Sequence, residues 1–167
     1  MELRRPTLAD KATILDMIAE FEREESAMDG GIYSKGMDYE AWLEMNLASE
    51  ISLSLPEGRV PAIQFVSFDE KGQAIGFLNL RLRLNEFLLR VGGHIGYSIR
   101  PSQRGKGYAK EQLRLGLQEA KAKNIHRVLV TCKETNTASR RVILSCGGQK
   151  ETTVSGIESY WIEVHHE

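Results

Sequence analysis

Residues 91–122 constrain the fold more than any other stretch of this chain. Val91-Gly92-Gly93-His94-Ile95-Gly96-Tyr97-Ser98-Ile99 is an extended, mostly apolar run that Pro101 stops. Alternation puts Val91, Gly93, Ile95, Tyr97 and Ile99 on one face of that strand and His94 and Ser98 on the other. Beyond it, Ala109, Leu113, Gly116, Leu117 and Ala120 fall at i, i+4, i+7, i+8 and i+11, the stripe of an amphipathic helix. Between strand and helix lies a turn carrying Arg100, Arg104, Gly105, Lys106, Gly107 and Lys110. Whatever the chain does, a basic, glycine-bearing strand-to-helix turn sits near its middle.

The flanking sequence completes one domain over residues 1–167, with no repeat or linker to divide it. Glu2–Arg5 predicts a short strand, and Thr7-Leu8-Ala9-Asp10 a variant capping box with Asp at its last position. Leu8, Ala12, Leu15, Ile18 and Ala19 carry helical spacing to about Glu24, and Asp29-Gly30-Gly31 then opens a loop. A second helix starts near Asp38, with Tyr39, Trp42, Leu43 and Leu47 as its apolar face, and Pro56-Glu57-Gly58 ends that region. Ala62–Phe68 and Ala74–Leu84 predict strands joined by Asp69-Glu70-Lys71-Gly72. After the long helix come a strand at Arg127–Cys132, a helix at Thr137–Cys146 stopped by Gly147-Gly148, and strands at Gln149–Val154 and Ser159–Val164 around Ser155-Gly156. The order β-α-α-β-β-β-α-β-α-β-β is that of a mixed α/β (α+β) domain with one central sheet.

Composition narrows the partners. Lys and Arg total 22 against 23 Asp and Glu, and the formal net charge is −1. A nucleic-acid-binding domain usually carries a basic excess, so no nucleic-acid partner is expected, although a local basic site stays open. Cys132 and Cys146 form no CxxC pair, which predicts two reduced thiols and no metal. No run approaches the roughly 20 apolar residues of a membrane span. No apolar segment follows Met1-Glu2-Leu3-Arg4-Arg5-Pro6, so a cytoplasmic protein without a membrane partner is expected. His165-His166-Glu167 is assigned no role.

The turn itself suits an anion. Glycines let a ligand approach the backbone, and the unpaired N–H groups of a helix start favour phosphate. Arg104 and Lys106 add charge. The known nucleotide patterns fail here, because Gly107 follows Gly105-Lys106 where GxxxxGK[ST] needs Ser or Thr. Lys110 likewise stands where GxGxxG needs its third glycine. Solvated loop charges are the competing reading.

Arg104-Gly105-Lys106-Gly107-Tyr108-Ala109 matches the acetyl-CoA signature of the GCN5-related N-acetyltransferases (GNAT), Arg or Gln, two residues, Gly, one residue, then Gly or Ala. Asn136, Ser139 and Gly147 fall where that family commonly has Asn-x-x-Ala/Ser and a later Gly. The chain therefore resembles the GNAT family from Glu2 to Val164. The resemblance implies an acyl-CoA N-acyltransferase fold, one mostly antiparallel mixed sheet of about seven strands with about four helices. It implies acetyl-CoA as co-substrate, its pyrophosphate on the amides of Arg104, Gly105, Lys106, Gly107, Tyr108 and Ala109. Pantetheine would run beside Ser98, Ile99 and Arg100, with Asn136 and Ser139 as further cofactor contacts. The implied reaction is direct acetyl transfer to a primary amine of a small molecule or peptide, and a homodimer is compatible with it.

Two positions depart from the family. Ile143 occupies the place of a tyrosine that can protonate the leaving thiolate, and Gly148 that of an aromatic anchor. A non-catalytic acyl-CoA-binding module is thus the alternative, and a phosphate-tracking nucleic-acid module a more distant one. Candidate catalytic groups are His94 as base, with Glu134 and Glu86 able to act through water, and Tyr160 or Tyr97 as acid. Arg81 and Arg83 could meet an acidic acceptor or simply face solvent. The region of Met17, Met28, Met37 and Met45, where the family places its acceptor, contains Glu20, Glu22, Glu24 and Glu25. That acidity suits a cationic amine and equally a solvated helix face.

Overall fold

The computed structural model describes residues 1–51 and 58–164; Pro56 and Glu57 of the expected helix stop, and His165-His166-Glu167, lie outside them. Seven strands form two antiparallel sheets. The first holds β1 (Glu2–Arg4), β2 (Ala62–Phe68), β3 (Ala74–Arg81) and β4 (Ile95–Ile99) in that spatial order. The second holds β5 (Arg127–Lys133), β6 (Gln149–Val154) and β7 (Ile157–Glu163), with β7 in the centre. Among the described residues five helices pack on them: α1 (Lys11–Arg23), α2 (Tyr39–Glu50), α3 (Glu86–Arg90), α4 (Tyr108–Ala122) and α5 (Thr137–Ser145).

Strand alternation sorts β2 and β3 onto two cores. Ile63, Phe65, Leu78 and Leu80 meet Leu113 and Leu117 of α4 and Val128, Val130 and Ile162 of the second sheet. On the opposite face Val66, Phe68 and Phe77 meet Ile14, Met17 and Phe21 of α1 and Tyr39 and Trp42 of α2. Each large apolar side chain contributes roughly 1.5–3 kcal/mol on burial, enough to hold both helical layers.

Besides this shared core, the two sheets are joined by hydrogen bonds at His94. The His94 N–H donates to the Leu129 carbonyl at 2.8 Å, and the Leu129 N–H donates to His94 Nδ1 at 2.9 Å. Gly93, at φ +58, makes this possible, because a Cβ there would stand 2.3 Å from the Leu129 oxygen. Beyond the junction β4 and β5 are both edge strands, and the space between them is open.

The seven expected strands are present, but the one central sheet is divided at the His94 junction into two, and three local expectations change. The first helix buries Ile14, Met17, Ile18 and Phe21 and leaves Leu8, Ala12 and Ala19 exposed. Leu8–Asp10 forms a tighter 3₁₀ turn whose phase does not carry into α1. The capping-box contact is present, since the Thr7 N–H donates to the Asp10 carboxylate at 2.8 Å. Val91–His94 is a turn rather than strand, with Gly92 and Gly93 at positive φ and the Gly92 N–H held by Thr131 Oγ1 at 2.7 Å. The strand expected to reach Leu84 ends at Arg81, and α3 follows it, capped by Asn85, whose side chain accepts from the Leu88 N–H.

Candidate active site

The opening between β4 and β5 is a cleft of about 820 Å³. The Arg81 N–H donates to the His94 carbonyl (2.7 Å) and the Arg100 N–H to the Ile75 carbonyl (2.8 Å). Even-numbered residues of β4 therefore turn their backbone groups to β3, and Ile95, Tyr97 and Ile99 turn theirs outward to the cleft. An extended, amide-bearing ligand can add to such an edge as a further strand. Arg81, Arg104, Lys110, Lys133 and Arg141 line the cleft, with Asp29 as the one acidic residue among its described lining. The field inside it favours a multiply charged anion.

The basic turn closes one end. Gly105 and Gly107 have φ +76 and +84, and a Cβ on either would meet nothing within 4 Å. Glycine is needed there for the left-handed backbone, and the space beside it is free for a ligand. Gly107 caps α4, whose first N–H groups, from Tyr108 and Ala109, have no intrahelical partner. Both of these residues line the cleft. Arg104 is used differently from the expectation: its guanidinium donates to the Ile99 carbonyl (2.9 Å) and to Ser26 Oγ (2.7 Å), tying the turn to β4 and the loop after α1. Lys106 is exposed and, among the described residues, donates to Gln103.

Ser98 and Ile99 line the cleft as expected, Ser98 with its hydroxyl donated to the Asp29 carbonyl at 2.7 Å. Arg100 does not. It is 3% exposed and points to the α1 side, where it binds Glu20 (2.9 Å), Asp16 (3.0 Å) and the Ala74 carbonyl (3.0 Å). The Glu20 carboxylate also receives the Ser102 N–H and hydroxyl. Burial works to raise the Glu20 pKa, but two donors of the Arg100 guanidinium and two of Ser102 outweigh it and hold it at about 2. Glu20 is a structural counter-ion, and Glu22, Glu24 and Glu25 are solvated.

Asn136 and Ser139 both line the cleft from α5. Asn136 Oδ1 caps the helix by accepting the Ser139 N–H, and Ser139 Oγ lies 3.1 Å from the Tyr97 hydroxyl across the cleft. Burial raises the Tyr97 pKa to about 12, so this hydroxyl stays protonated at neutral pH. Ile143 is fully buried in the core, and a Cβ on Gly148 would come within 2.6 Å of its Cγ2. The two departures from the family pattern are thus one packing solution, a branched aliphatic against a bare backbone. Burial raises both cysteine pKa values, which leaves neither thiol activated.

The three expected catalytic groups do not line the cleft. His94 accepts a backbone N–H on Nδ1, and burial beside Arg81 lowers its pKa to about 4. It is a neutral ring whose acceptor nitrogen is occupied, which joins the sheets and has no lone pair for an amine proton. Tyr160 is 2% exposed, with its hydroxyl on Glu158. Glu134 is exposed in the turn after β5, its N–H on the Gly156 carbonyl. Glu86, at the first turn of α3, is exposed.

A second cavity of about 320 Å³ opens under α2 and α3. Its floor is a polar row on β2 and β3, Gln64, Asn79 and Arg81, the last of which was expected either to meet an acidic acceptor or to face solvent. The roof of α2 leaves Gln64 and Asn79 each 3% exposed. Arg81 lines both cavities and donates to the Gly92 (2.8 Å) and Gly93 (3.2 Å) carbonyls. Arg83, as expected of one reading, faces solvent. Nothing in the sequence pattern marks Asn79 or Gln64, because the roof comes from a segment more than a dozen residues upstream.

Residues 1–149 match a family model described as an acetyltransferase (GNAT) domain. Among solved structures, RimJ of Mycobacterium smegmatis in complex with CoA-disulfide superposes at TM-score 0.69 and 22% identity, over 96% of this chain and 80% of that one. The yncA protein of Salmonella typhimurium with acetyl-CoA gives 0.66 at 18% identity, over 99% and 95%. Spermidine N-acetyltransferase of Vibrio cholerae, with CoA and spermine, gives 0.64 at 17% identity, over 97% and 94%. These likenesses are of fold. No curated protein matches the sequence.

Proposed function

This chain belongs to the GNAT acetyltransferase family, and from that premise we propose that it binds acetyl-CoA between β4 and β5 and transfers the acetyl group directly to a primary amine. The observation that carries the reading is the cleft itself, an unpaired β4 edge that ends on two left-handed glycines and the open N-terminus of α4. The residues present fit the co-substrate. The edge offers amide partners at Ile95, Tyr97 and Ile99, and the helix start with Lys110, Lys133 and Arg141 offers positive charge for phosphates.

Acetyl-CoA supplies the activated acyl group, as a thioester. The amine nitrogen forms the new bond to the acyl carbon as the carbon–sulfur bond breaks, the nitrogen loses a proton and the sulfur takes one up. The chain's part is alignment, which is where most of the rate originates in such transfers. No histidine, and no acid besides Asp29, is among the described cleft residues, so the amine proton passes to water. The protonated Tyr97 hydroxyl, fixed against Ser139, is the donor within the cleft.

Two measurements test this. Acetyl-CoA at a hundredfold excess over its dissociation constant should stabilise the fold by about 2.7 kcal/mol, read as a rise in melting temperature. Gly107→Val should abolish that rise, since the branched side chain fills the free space beside a strained backbone. Thiol release with a panel of amines should accompany binding. Binding without release for any amine would favour the acyl-CoA-binding module instead, and an unchanged shift in Gly107→Val would remove the site from this turn.

A further inference from the structure

The smaller cavity has a chemistry of its own. Buried polar atoms in folded proteins almost always find a hydrogen-bond partner, and those that do not call for an explanation. Two residues of this cavity's lining carry such atoms: Asn79 Oδ1 and Asn46 Nδ2 are buried within its wall and have no partner among the described residues. The Asn79 amide orientation is set by its Nδ2, which donates to Gln64 Oε1 at 3.1 Å, so the free atom is an acceptor. Asn46 leaves a free donor.

The charges are unmatched as well. Arg59 and Arg81 both line the cavity, and among the described residues neither has a carboxylate within 4.0 Å and none of the cavity's lining is acidic. Burial and the neighbouring Arg59 both lower the Arg81 pKa, the sign of a cation held next to a like charge. The remaining wall is apolar, with Ile32, Met45, Val60, Phe87 and Leu88. Arg81 also walls the acetyl-CoA cleft, and a Cβ on Gly96 of β4 would lie 3.2 Å from its guanidinium. A molecule gripped by Arg81 from the cavity side therefore sits beside the cleft.

We propose that this cavity takes the acceptor and that the acceptor is a small primary amine bearing a carboxylate next to an apolar group, the carboxylate held by Arg59 and Arg81. A polyamine finds no carboxylate among the described lining, and two guanidinium groups oppose it. This inference rests on the acetyltransferase reading of the cleft.

The test is thiol release from acetyl-CoA with three acceptor sets: apolar L-amino acids, their carboxamides and spermidine. Turnover is expected with the amino acids, with KM raised at least tenfold for the carboxamides and no turnover of spermidine. Arg59→Ala should raise KM for the amino acids roughly tenfold to a hundredfold, the worth of one charge-assisted bond, with kcat within about threefold. It should leave KM for the carboxamides and the acetyl-CoA melting shift unchanged. Spermidine or the carboxamides turning over as well as the amino acids would overturn the inference, as would an intact acetyl-CoA shift with no carboxylate-dependent acceptor in the panel. Loss of the acetyl-CoA shift in the unmodified protein would instead overturn the cleft reading beneath it.

Discussion

Arg100 and Arg81 leave the same sheet from adjacent strands and end in opposite circumstances. Arg100 is closed in by α1, with Glu20, Asp16 and a backbone carbonyl taking its donors. Arg81 is closed in by α2 and α3, with two glycine carbonyls for partners and Arg59 as its charged neighbour. A buried cation with its charge matched is part of the scaffold, and one left unmatched beside a cavity is set for an anion that comes and goes. Arg100 is fully buried and Arg81 half-buried, but it is the partners that set their roles apart.

The largest expected effect breaks the matched side. Glu20→Gln leaves Arg100 buried with only the exposed Asp16 carboxylate, which should cost about 3–5 kcal/mol of folding stability in a denaturant titration. The pH dependence carries a sign. The folded-state pKa of Glu20, about 2, lies below its ordinary 4.5, so its contribution is present above pH 4.5 and is lost as pH falls to about 2. His94 adds an earlier limb. Its folded pKa of about 4 lies below 6.5, the unfolded chain binds the proton first, and stability falls as pH drops from 6.5 to 4. Glu20→Gln should flatten only the lower limb. A flat profile from pH 6.5 to 4 would show that His94 is not held neutral.

That contrast also marks what the sequence made legible. The cleft was readable because Ile95–Ala109 is one contiguous strand–turn–helix, and glycines and helix ends act through the local backbone. Arg100 sits in the same stretch and was misassigned, because its orientation depends on Glu20, in a helix docked from eighty residues upstream. His94 likewise takes its role from Leu129. The second cavity was invisible for the same reason in stronger form. Met45, Asn46, Arg59, Asn79, Arg81 and Leu88 come from α2, β3, α3 and a connecting loop, and the alternation of β3 cannot announce that its polar face will be roofed. The short α3 has too few residues for a period to show.

Arg104 is an intermediate case, matched by neutral oxygens only. Arg104→Ala removes its bonds to Ile99 and Ser26 and should lower the stability of the ligand-free protein by about 1.5 kcal/mol, less than Glu20→Gln because the group is exposed. Thermal unfolding without acetyl-CoA reads this directly. A loss that appears only in the acetyl-CoA shift would mean that the guanidinium leaves Ile99 for a phosphate.

Tyr97→Phe should cost about 1 kcal/mol of stability for the hydroxyl pair with Ser139. Its effect on turnover should stay within about tenfold. A thiol with a pKa near 8.5 leaves readily, and acid assistance reaches its typical 10²–10⁴-fold only where the leaving group needs it. A thousandfold loss of kcat with the acetyl-CoA shift intact would make Tyr97 the required acid.

The smallest expected effect sharpens the comparison most. Arg59 is exposed and has no carboxylate within ion-pair distance among the described residues, so Arg59→Ala removes a repulsion from Arg81 and breaks no ion pair described here. Stability should move by no more than about 0.5 kcal/mol, the usual range for an exposed substitution, and the relief of like charge points the change upward. The shift should shrink as salt rises from 50 mM to 0.5 M, because repulsion at the mouth of an open cavity is screened. A loss of 2 kcal/mol or more would show that Arg59 has a structural partner, and the two arginines would then be matched alike. A small, salt-sensitive gain leaves Arg81 a half-buried guanidinium with no counter-charge among the described residues, open to an anion from the cavity.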